Sequence, residues 1–506
     1  MKTPAFADMR SLGGILMFLA IVIPVAEAAE KLPDMRSPRP IEGAINHLDI
    51  AYLPDRLTGS WEDRWLKMNV HVPTGAGPFP CLIFVHGGGY GAGDKDGGLW
   101  NAGPGSEFST RVRAVTAGYV VVNVNYILSY GGSSQPQVFW DFRSAVRFLR
   151  ANAEKFRIDP GRIGAWGFSA GGWLASSASF SDAGDLCQSR TVTQSKPKRR
   201  VHLPFAPYDD PRPSYAEFSS RLNCVVADLW KVPELLRPQS PALLTFVGTG
   251  ATHKSANKLG GGRMDVLQFT NPKFSGKSSL HVPEITEPVK SLDGGDESTY
   301  EEQAMHWLDR QLKGDSVRSV PPEMRPNLRR FRDQITIRLI AASPDATVHF
   351  TTDETEPTQA SPVFRKPLRI ENKTVVKAIS VRNGERPSAP CRATFLRGFA
   401  PPNITSPRTI LLPRATVGKP YRQAFIADGA QVWSLAGMIE PSQRKSRHDV
   451  EPGIQLDTKT GVLSGTPKRA GTFTFQIHAA FGYAQQADAR CYVLRVDPRA
   501  TNRSPK

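Results

Sequence analysis

The stretch RIGAWGFSAGG, residues 162–172, decides the fold of the first half of the chain. Its apolar residues 163–166 predict a short buried strand, and residues 173–178 predict a helix that begins almost at once. Between them, residues 167–171 match the pattern G-x-S-x-G, which places a serine on a tight turn from a strand into a helix. Such a turn lifts the hydroxyl group of Ser169 clear of the sheet and sets it near a helix N-terminus, where negative charge is stabilised. We therefore predict that Ser169 is a nucleophile; the alternative is a glycine-rich turn that matches the pattern by chance.

A second glycine-rich segment lies upstream. The continuous apolar run CLIFV, residues 81–85, predicts a strand buried on both faces, and HGGG follows it directly. Attack of a serine on an ester carbonyl produces an oxyanion, which needs preorganised N–H donors. Gly87 and Gly88 have no side chain to obstruct their N–H groups, and Ala170 offers the N–H that follows the nucleophile. We predict that these three amides form an oxyanion hole; the alternative is a loop that needs positive φ angles.

Strand and helix patterns alternate through this part of the chain. The alternation implies a mostly parallel sheet that is covered by helices on both faces. The apolar runs predict strands at residues 65–72, 81–85, 119–124, 163–166 and 241–247, and the helical periodicity predicts helices at residues 111–117, 139–153, 173–178 and 300–312.

These motifs together resemble a known family. HGGGY (86–90), NY (125–126), Asp141, IDPGR (158–162) and GFSAGG (167–172) look like the hormone-sensitive-lipase branch of the α/β-hydrolase superfamily, and the likeness extends to bacterial acetylxylan and feruloyl esterase-like proteins. The resemblance covers roughly residues 60–315. It implies an eight-stranded, mostly parallel sheet and hydrolysis of carboxylic esters by a Ser–Asp–His triad, with no cofactor and no metal.

The other two members of the triad are absent from the positions where the family has them. The family acid follows the strand that here ends at Val247, but the next residues are GTGATH (248–253) and contain no carboxylate. The family histidine stands in a Gly-Gly-His turn before the last helix, where this chain has GGD (294–296). Three explanations stay open: displaced residues complete the triad, the domain is catalytically degenerate, or the coding sequence of residues 250–295 is out of frame.

Two displaced residues have the order that the family requires. Asp265 and then His281 stand between the seventh strand and the final helix, and we select them as the catalytic acid and base. The alternative for each is an ordinary surface side chain. His253 is a further candidate, whereas we interpret His306 as a solvent-facing residue of the final helix. Without a histidine to take its proton, Ser169 would be a poor nucleophile.

The C-terminal part of the chain contains two all-β modules. Residues 334–397, with the turns at 351–357 and 384–388, resemble the small β-sandwich at the C-terminal end of chitobiases and hexosaminidases. Residues 403–497 resemble a bacterial immunoglobulin-like module, in which glycines and prolines mark the turns between short strands. Neither module is catalytic in its family. We expect a spacer role; the alternative is contact with a glycan or a cell surface.

The N-terminal 28 residues have the features of a secretory signal peptide. Lys2 and Arg10 precede an apolar run at residues 12–25, and Ala26-Glu27-Ala28 is a small-x-small cleavage site. The apolar run is short for a membrane span, so we expect a secreted or periplasmic protein with no membrane span after cleavage. The net charge is +17, but no basic motif interleaved with aromatic residues supports binding of nucleic acid.

The sequence thus predicts a signal peptide (1–28), an N-terminal tail (29–58), an α/β-hydrolase domain (59–314), a linker (315–333) and two C-terminal all-β, immunoglobulin-like sandwiches. We expect an exported serine esterase that removes acyl groups from an ester-bearing polysaccharide or a small ester. The alternative is a non-catalytic surface protein in which the hydrolase domain has become a binding scaffold, because the family acid and histidine are displaced.

Overall fold

The computed structural model describes the chain in segments. The predicted signal peptide, together with His253 and His281, lies outside them. The described residues are 38–54, 65–90, 93–97, 107–128, 137–180, 190–195, 198–203, 214–228, 240–247, 264–268, 288–289, 298–314, 317–326, 330–398, 402–407, 411–430, 432–439, 453–480 and 487–499.

The first domain is built on an eight-stranded sheet. Its elements in chain order are β1 (Ala44–Ala51), β2 (Lys67–Pro73), β3 (Phe79–Val85), α1 (Glu107–Thr116), β4 (Val120–Val124), α2 (Gln137–Ala151), β5 (Ile158–Phe168), α3 (Ala170–Phe180), β6 (Arg190–Ser195), β7 (Lys198–Leu203), β8 (Cys224–Asp228), β9 (Ala242–Val247), β10 (Met264–Gln268), β11 (Pro288–Val289), β12 (Ser298–Thr299) and α4 (Tyr300–Leu312). The strand order in the sheet is β1-β2-β4-β3-β5-β8-β9-β10. The six strands from β4 to β10 in that order pair in parallel, and β1 and β2 form an antiparallel edge.

Helices cover both faces of this sheet, as predicted. In β3, Cys81, Ile83 and Val85 belong to one core, which also contains residues of α2 and α3. Leu82 and Phe84 belong to the other core, which contains residues of α1 and α4. The continuous apolar run of β3 is therefore explained by burial on both faces, and the predicted fold class is confirmed. Within the described segments, no helix has the length and apolar character needed to cross a membrane.

The structure differs from the sequence prediction at the N-terminal tail. Residues 44–51, placed in the predicted tail, form the edge strand β1 and pair with β2. The strand contains Asn46, His47 and Asp49, and Ile45 is 45% exposed. An edge strand of this kind buries little of its surface, so it lacks the apolar signature on which the sequence analysis relied.

The second domain is a sandwich of two small sheets. Its strands are β13 (Glu323–Arg325), β14 (Arg330–Phe331), β15 (Ile335–Ile340), β16 (Thr347–Thr351), β17 (Leu368–Ile370), β18 (Thr374–Val381) and β19 (Cys391–Arg397). The sheets have the orders β13-β15-β17 and β14-β19-β18-β16. The predicted linker therefore contributes β13 and β14 to this domain. These short segments pair with β15 and β19, and their Met324 and Phe331 side chains are buried in the core of the domain.

The third domain is a second sandwich. Its strands are β20 (Asn403–Ser406), β21 (Ala415–Thr416), β22 (Tyr421–Ala424), β23 (Ile426–Asp428), β24 (Val432–Ile439), β25 (Ile454–Leu456), β26 (Val462–Gly465), β27 (Gly471–Ala480) and β28 (Ala487–Asp497). The two larger sheets have the orders β21-β28-β27-β24 and β22-β26-β25. Phe473, Phe475 and Leu494 are fully buried between them.

Glu323 of β13 is the centre of a buried polar contact between the first two domains. Its carboxylate accepts hydrogen bonds from the main-chain N–H of Ser220 at 2.6 Å and from the guanidinium group of Arg325 at 2.8 Å. The guanidinium group of Arg147, on α2, lies 3.6 Å away and is buried. Burial alone would raise the pKa of Glu323, but the guanidinium groups, of which Arg325 acts most strongly, hold that pKa well below its ordinary value. Glu323 is therefore a charged counter-ion for arginines of both domains.

Two further arginines extend this contact. Arg150, at the end of α2, donates to the carbonyl oxygen of Ser219 at 2.6 Å and to that of Ala342, in the second domain, at 2.9 Å. Arg382 of the second domain donates to the carboxylate of Asp159, the second residue of β5, at 2.8 Å. Arg150 precedes β5, Asp159 is at its start and Ser219 precedes β8, so these contacts lie at the amino ends of the parallel strands. The second domain is thus bound to the edge of the sheet opposite to the one at which residue 169 follows β5.

We predict that Glu323→Gln lowers the free energy of unfolding by about 3–5 kcal/mol, because the variant leaves buried guanidinium groups without their counter-charge. Urea unfolding monitored by circular dichroism measures this loss. The matched control is Glu356→Gln, which removes a carboxylate from an exposed ion pair with Lys377 and should cost less than about 1 kcal/mol. Equal losses in the two variants would contradict the assignment.

We also predict an acid-sensitive third domain. Burial lowers the pKa of His478 to about 4, and neither ring nitrogen has a hydrogen-bond partner within the described residues. The unfolded state takes up a proton near pH 6.5 whereas the folded state stays neutral, so stability is full above pH 6.5 and falls as the pH falls towards 4. Calorimetry should show that the unfolding transition of the third domain loses about 2–3 kcal/mol between pH 7.5 and 4.5 and that this loss is absent in His478→Leu. The same loss in His306→Gln as in the unmodified protein is the expected control, and a loss of equal size in His478→Leu would contradict the prediction.

Candidate active site

Ser169 lies alone between the end of β5 and the start of α3. Its φ angle is +50°, in the left-handed region that residues other than glycine rarely occupy. The carbonyl oxygen of Ser169 accepts the hydrogen bond from the N–H of Trp173 at 3.0 Å, so the serine caps the first turn of α3. This strained strand–turn–helix geometry is the one that a nucleophile elbow requires.

The glycines around Ser169 allow the main chain to pack on itself. A Cβ atom on Gly167 would lie 2.5 Å from the main chain of Gly171. A Cβ atom on Gly171 would overlap the carbonyl oxygen of Val85 and would lie 2.5 Å from that of His86. The elbow therefore packs directly against the end of β3, and no side chain fits at either glycine.

The HGGG segment, residues 86–89, lies beside the serine. A Cβ atom on Gly87 would be 3.2 Å from the Cβ atom of Ser169 and 3.0 Å from the carbonyl oxygen of Phe168. Gly88 follows with a φ angle of +113°. The structure thus brings the predicted nucleophile, Ala170 and the predicted oxyanion loop together at the carboxyl ends of β3 and β5.

A residue after the neighbouring strand β4 contacts the glycine loop, residues 86–89. Tyr126, which follows β4, is fully buried, and its hydroxyl group donates to the carbonyl oxygen of His86 at 2.9 Å. The Nδ1 atom of His86 lies 2.8 Å from the carbonyl oxygen of Gly87, and the rings of His86 and Tyr126 stack with centroids 4.4 Å apart. Because a carbonyl oxygen only accepts, we assign the proton of His86 to Nδ1. His86 is thus a structural hydrogen-bond donor.

Buried polar side chains fix the residues that follow the loop. The N–H of Lys95 donates to the side chain of Asn125 at 2.6 Å, and Arg111 of α1 donates to the carbonyl oxygen of Lys95 at 2.9 Å. Lys95 also forms an ion pair with Asp49 of β1 at 2.8 Å. Burial, followed by the charges of Arg111 and Lys95, lowers the pKa of the neighbouring His71 to about 4, so this imidazole is neutral at physiological pH. These contacts join the segment after the glycine loop to Asn125, to Arg111 of α1 and to Asp49 of β1.

Asp265 lies near the start of β10, not at its carboxyl end. It is opposite Leu244 of β9, and its carboxylate accepts a hydrogen bond from the indole N–H of Trp307 at 2.6 Å. The strand ends at Gln268, three residues later, which corresponds to about 10 Å. The structure thus joins Asp265 to α4, and the role of this residue as the catalytic acid stays a prediction.

The histidines divide into two groups. His253 and His281 lie outside the described residues, and their roles also stay predictions. His306 is exposed on α4, as the sequence analysis expected. The contact of Tyr126 with the glycine loop was not predicted from the sequence. Its position directly after a buried strand, where functional side chains of parallel sheets collect, was the available signal.

Comparison with known families agrees with this geometry. Residues 68–204 match the family model BD-FAE, a family of α/β-hydrolase esterases. The first domain has the α/β-hydrolase fold. Residues 328–391 match the chitobiase/beta-hexosaminidase C-terminal domain, and residues 401–497 match the family described as "Putative Ig domain". The resemblances that the sequence motifs indicated are therefore confirmed.

Relatives of this chain include proteins named as esterases and one named as a lipase. Gut esterase 1 of Caenorhabditis elegans is 34% identical over 114 residues, which cover 21% of this chain and 19% of that protein. The bile salt-activated lipase of Bos taurus is 30% identical over 193 residues, which cover 36% of this chain and 32% of the lipase. The chain thus spans about a third or less of the length of these relatives. A solved structure titled as a bifunctional GH43-CE from Bacteroides eggerthii is 19% identical, with 52% of this chain and 38% of that chain covered and a TM-score of 0.36.

Proposed function

We propose that the protein is a serine hydrolase of carboxylic esters. The observation that supports this most strongly is the contact of the strained elbow with the glycine loop, which sets Gly87 against Ser169. In the proposed reaction the hydroxyl oxygen of Ser169 attacks the ester carbonyl carbon while a histidine takes its proton. The N–H groups of Gly87, Gly88 and Ala170 stabilise the oxyanion. The histidine then protonates the leaving alcohol, and water hydrolyses the acyl-enzyme to release the acid.

We propose His281 as that histidine and Asp265 as its acid. In a parallel sheet the carboxyl ends of the strands lie on one side, so β10 ends on the same side of the sheet as β5, which Ser169 follows. His281 comes after β10 in the chain. Asp265 precedes His281 in the order Ser–acid–His. The carboxylate of Asp265 also accepts a hydrogen bond from Trp307, and the competing explanation is that this carboxylate has only a structural role. In that case the contact supports the alternative function, a catalytically degenerate binding scaffold.

We propose an ester-bearing carbohydrate polymer as the substrate, with an acetyl or feruloyl group as the acyl part, and a secreted or periplasmic location. The predicted signal peptide and the two appended sandwiches support a polymer over a small lipid. For the sandwiches we favour a spacer role over glycan contact. Among their described residues, the large hydrophobic side chains exposed to solvent are Val363 and Ile426, which are aliphatic and cannot stack on a sugar as an aromatic platform would.

We predict that a fluorophosphonate probe labels the purified protein and that Ser169→Ala abolishes both labelling and hydrolysis of p-nitrophenyl acetate. The serine oxygen forms the bond to phosphorus, so its removal leaves no nucleophile. In-gel fluorescence and release of p-nitrophenol measure the two outcomes. Ser220→Ala, a change at a serine bound to Glu323 at the opposite edge of the sheet, is the control and should keep both activities. Absence of labelling in the unmodified protein would instead support the degenerate scaffold.

We predict that His281→Ala lowers kcat at least about 1000-fold, whereas His306→Ala leaves it unchanged.

Asp265→Asn separates the two roles of the carboxylate, because the amide oxygen still accepts the hydrogen bond of Trp307 but bears no charge. A catalytic acid predicts a loss of about 1000-fold or more at an unchanged melting temperature. Full activity of Asp265→Asn would assign the residue to structure alone and would move the search for the acid to the segment after β9.

A further inference from the structure

The direction of the proposed oxyanion donors is set by two peptide units. In a trans peptide the C=O and the following N–H lie in one plane and point in opposite directions. The carbonyl group of His86 and the N–H of Gly87 form one such unit. The carbonyl group of Gly87 and the N–H of Gly88 form the next. Whatever holds these two oxygens therefore fixes the direction of both N–H groups.

The hydroxyl group of Tyr126 contacts both of these oxygens. It lies 2.9 Å from the carbonyl oxygen of His86 and 3.4 Å from that of Gly87. The shorter contact is an ordinary strong O–H···O hydrogen bond, and the side chain that makes it is completely buried. Glycine residues oppose rotation of the peptide plane only weakly, since no Cβ atom restricts φ and ψ. A loop of three glycines needs such an external contact to keep one orientation.

The side chain of Tyr126 is itself held rigidly. Its ring stacks on the imidazole of His86, with a 14° angle between the planes, and Tyr90 packs edge-on with centroids 6.1 Å apart. Its main chain follows Asn125, which accepts from the N–H of Lys95 and whose own N–H donates to the carbonyl oxygen of Lys67 in β2. The hydroxyl group is therefore placed by the sheet and by the segment that closes the loop.

We propose that Tyr126 is a positioning residue for the oxyanion hole: its hydroxyl group locks the His86–Gly87 peptide so that the N–H of Gly87 is preorganised for the transition state. This proposal rests on the proposed ester hydrolysis at Ser169. Stabilisation by an oxyanion hole depends on donors that need no reorientation during the reaction. Loss of the hydroxyl group should therefore weaken transition-state binding more than substrate binding.

The test compares Tyr126→Phe with Tyr119→Phe in the full protein. The control removes a hydroxyl group of the same residue type, which donates to Asp309 at 2.6 Å at the amino end of β4, far from the loop. We expect Tyr126→Phe to lower kcat for p-nitrophenyl acetate about 10- to 100-fold with KM unchanged, a smaller effect than removal of a donor itself. Inhibition by a trifluoromethyl ketone, whose serine adduct bears an oxyanion, should weaken by a similar factor. Tyr119→Phe should keep both values even where it lowers the melting temperature.

Hydrogen–deuterium exchange gives a readout that needs no activity. The peptide that contains residues 86–90 should exchange at least about 10-fold faster in Tyr126→Phe and at the original rate in Tyr119→Phe. Unchanged exchange would overturn the proposal whether or not the protein hydrolyses esters. Faster exchange with unchanged kcat and inhibitor affinity would also overturn it. Faster exchange in a protein without any esterase activity would contradict the proposed function and therefore the catalytic part of the proposal. The contact of Tyr126 with the loop would still be established.

Discussion

Close contact between two stretches of main chain is the constraint on which the rest of the site depends. The elbow at residues 167–171 packs against the end of β3 so tightly that a single Cβ atom on Gly171 would overlap the carbonyl oxygen of Val85. This contact brings Ser169 beside Gly87. It also explains why glycine occurs on both sides of the serine and why the strands β3 and β5 must be neighbours in the sheet. The local motif and the global topology therefore require each other.

The amino ends and the carboxyl ends of the parallel strands have different functions. Buried charges at the amino ends of the strands, with Glu323 and Arg150 at their centre, join the hydrolase domain to the first sandwich. The elbow, the glycine loop and the contacts of Tyr126 lie at the carboxyl ends. The described contacts of the sandwich with the first domain thus lie at the ends of the strands opposite to Ser169.

The sequence predicts those elements whose signal is local. The continuous apolar run at residues 81–85 and the helical periodicity at 300–312 are strong local signals, and the structure has these elements as Phe79–Val85 and Tyr300–Leu312. The strand β1 and the strands within the predicted linker were not predicted, because Asn46, His47 and Asp49 interrupt the apolar residues of β1, and because β13 and β14 have only three and two residues. The hydrogen bond from the indole of Trp307 to the carboxylate of Asp265 could not be predicted either, because it joins residues 42 positions apart through tertiary packing alone.

The most direct test of the proposed mechanism is a crystal structure of the protein after reaction with diethyl 4-nitrophenyl phosphate. The mechanism predicts a phosphoryl group on the Oγ atom of Ser169, with its P=O oxygen about 3 Å from the N–H groups of Gly87 and Ala170 and a nitrogen of His281 within hydrogen-bonding distance of the adduct. An unmodified Ser169 would contradict this mechanism. So would an adduct whose P=O oxygen points away from the glycine loop.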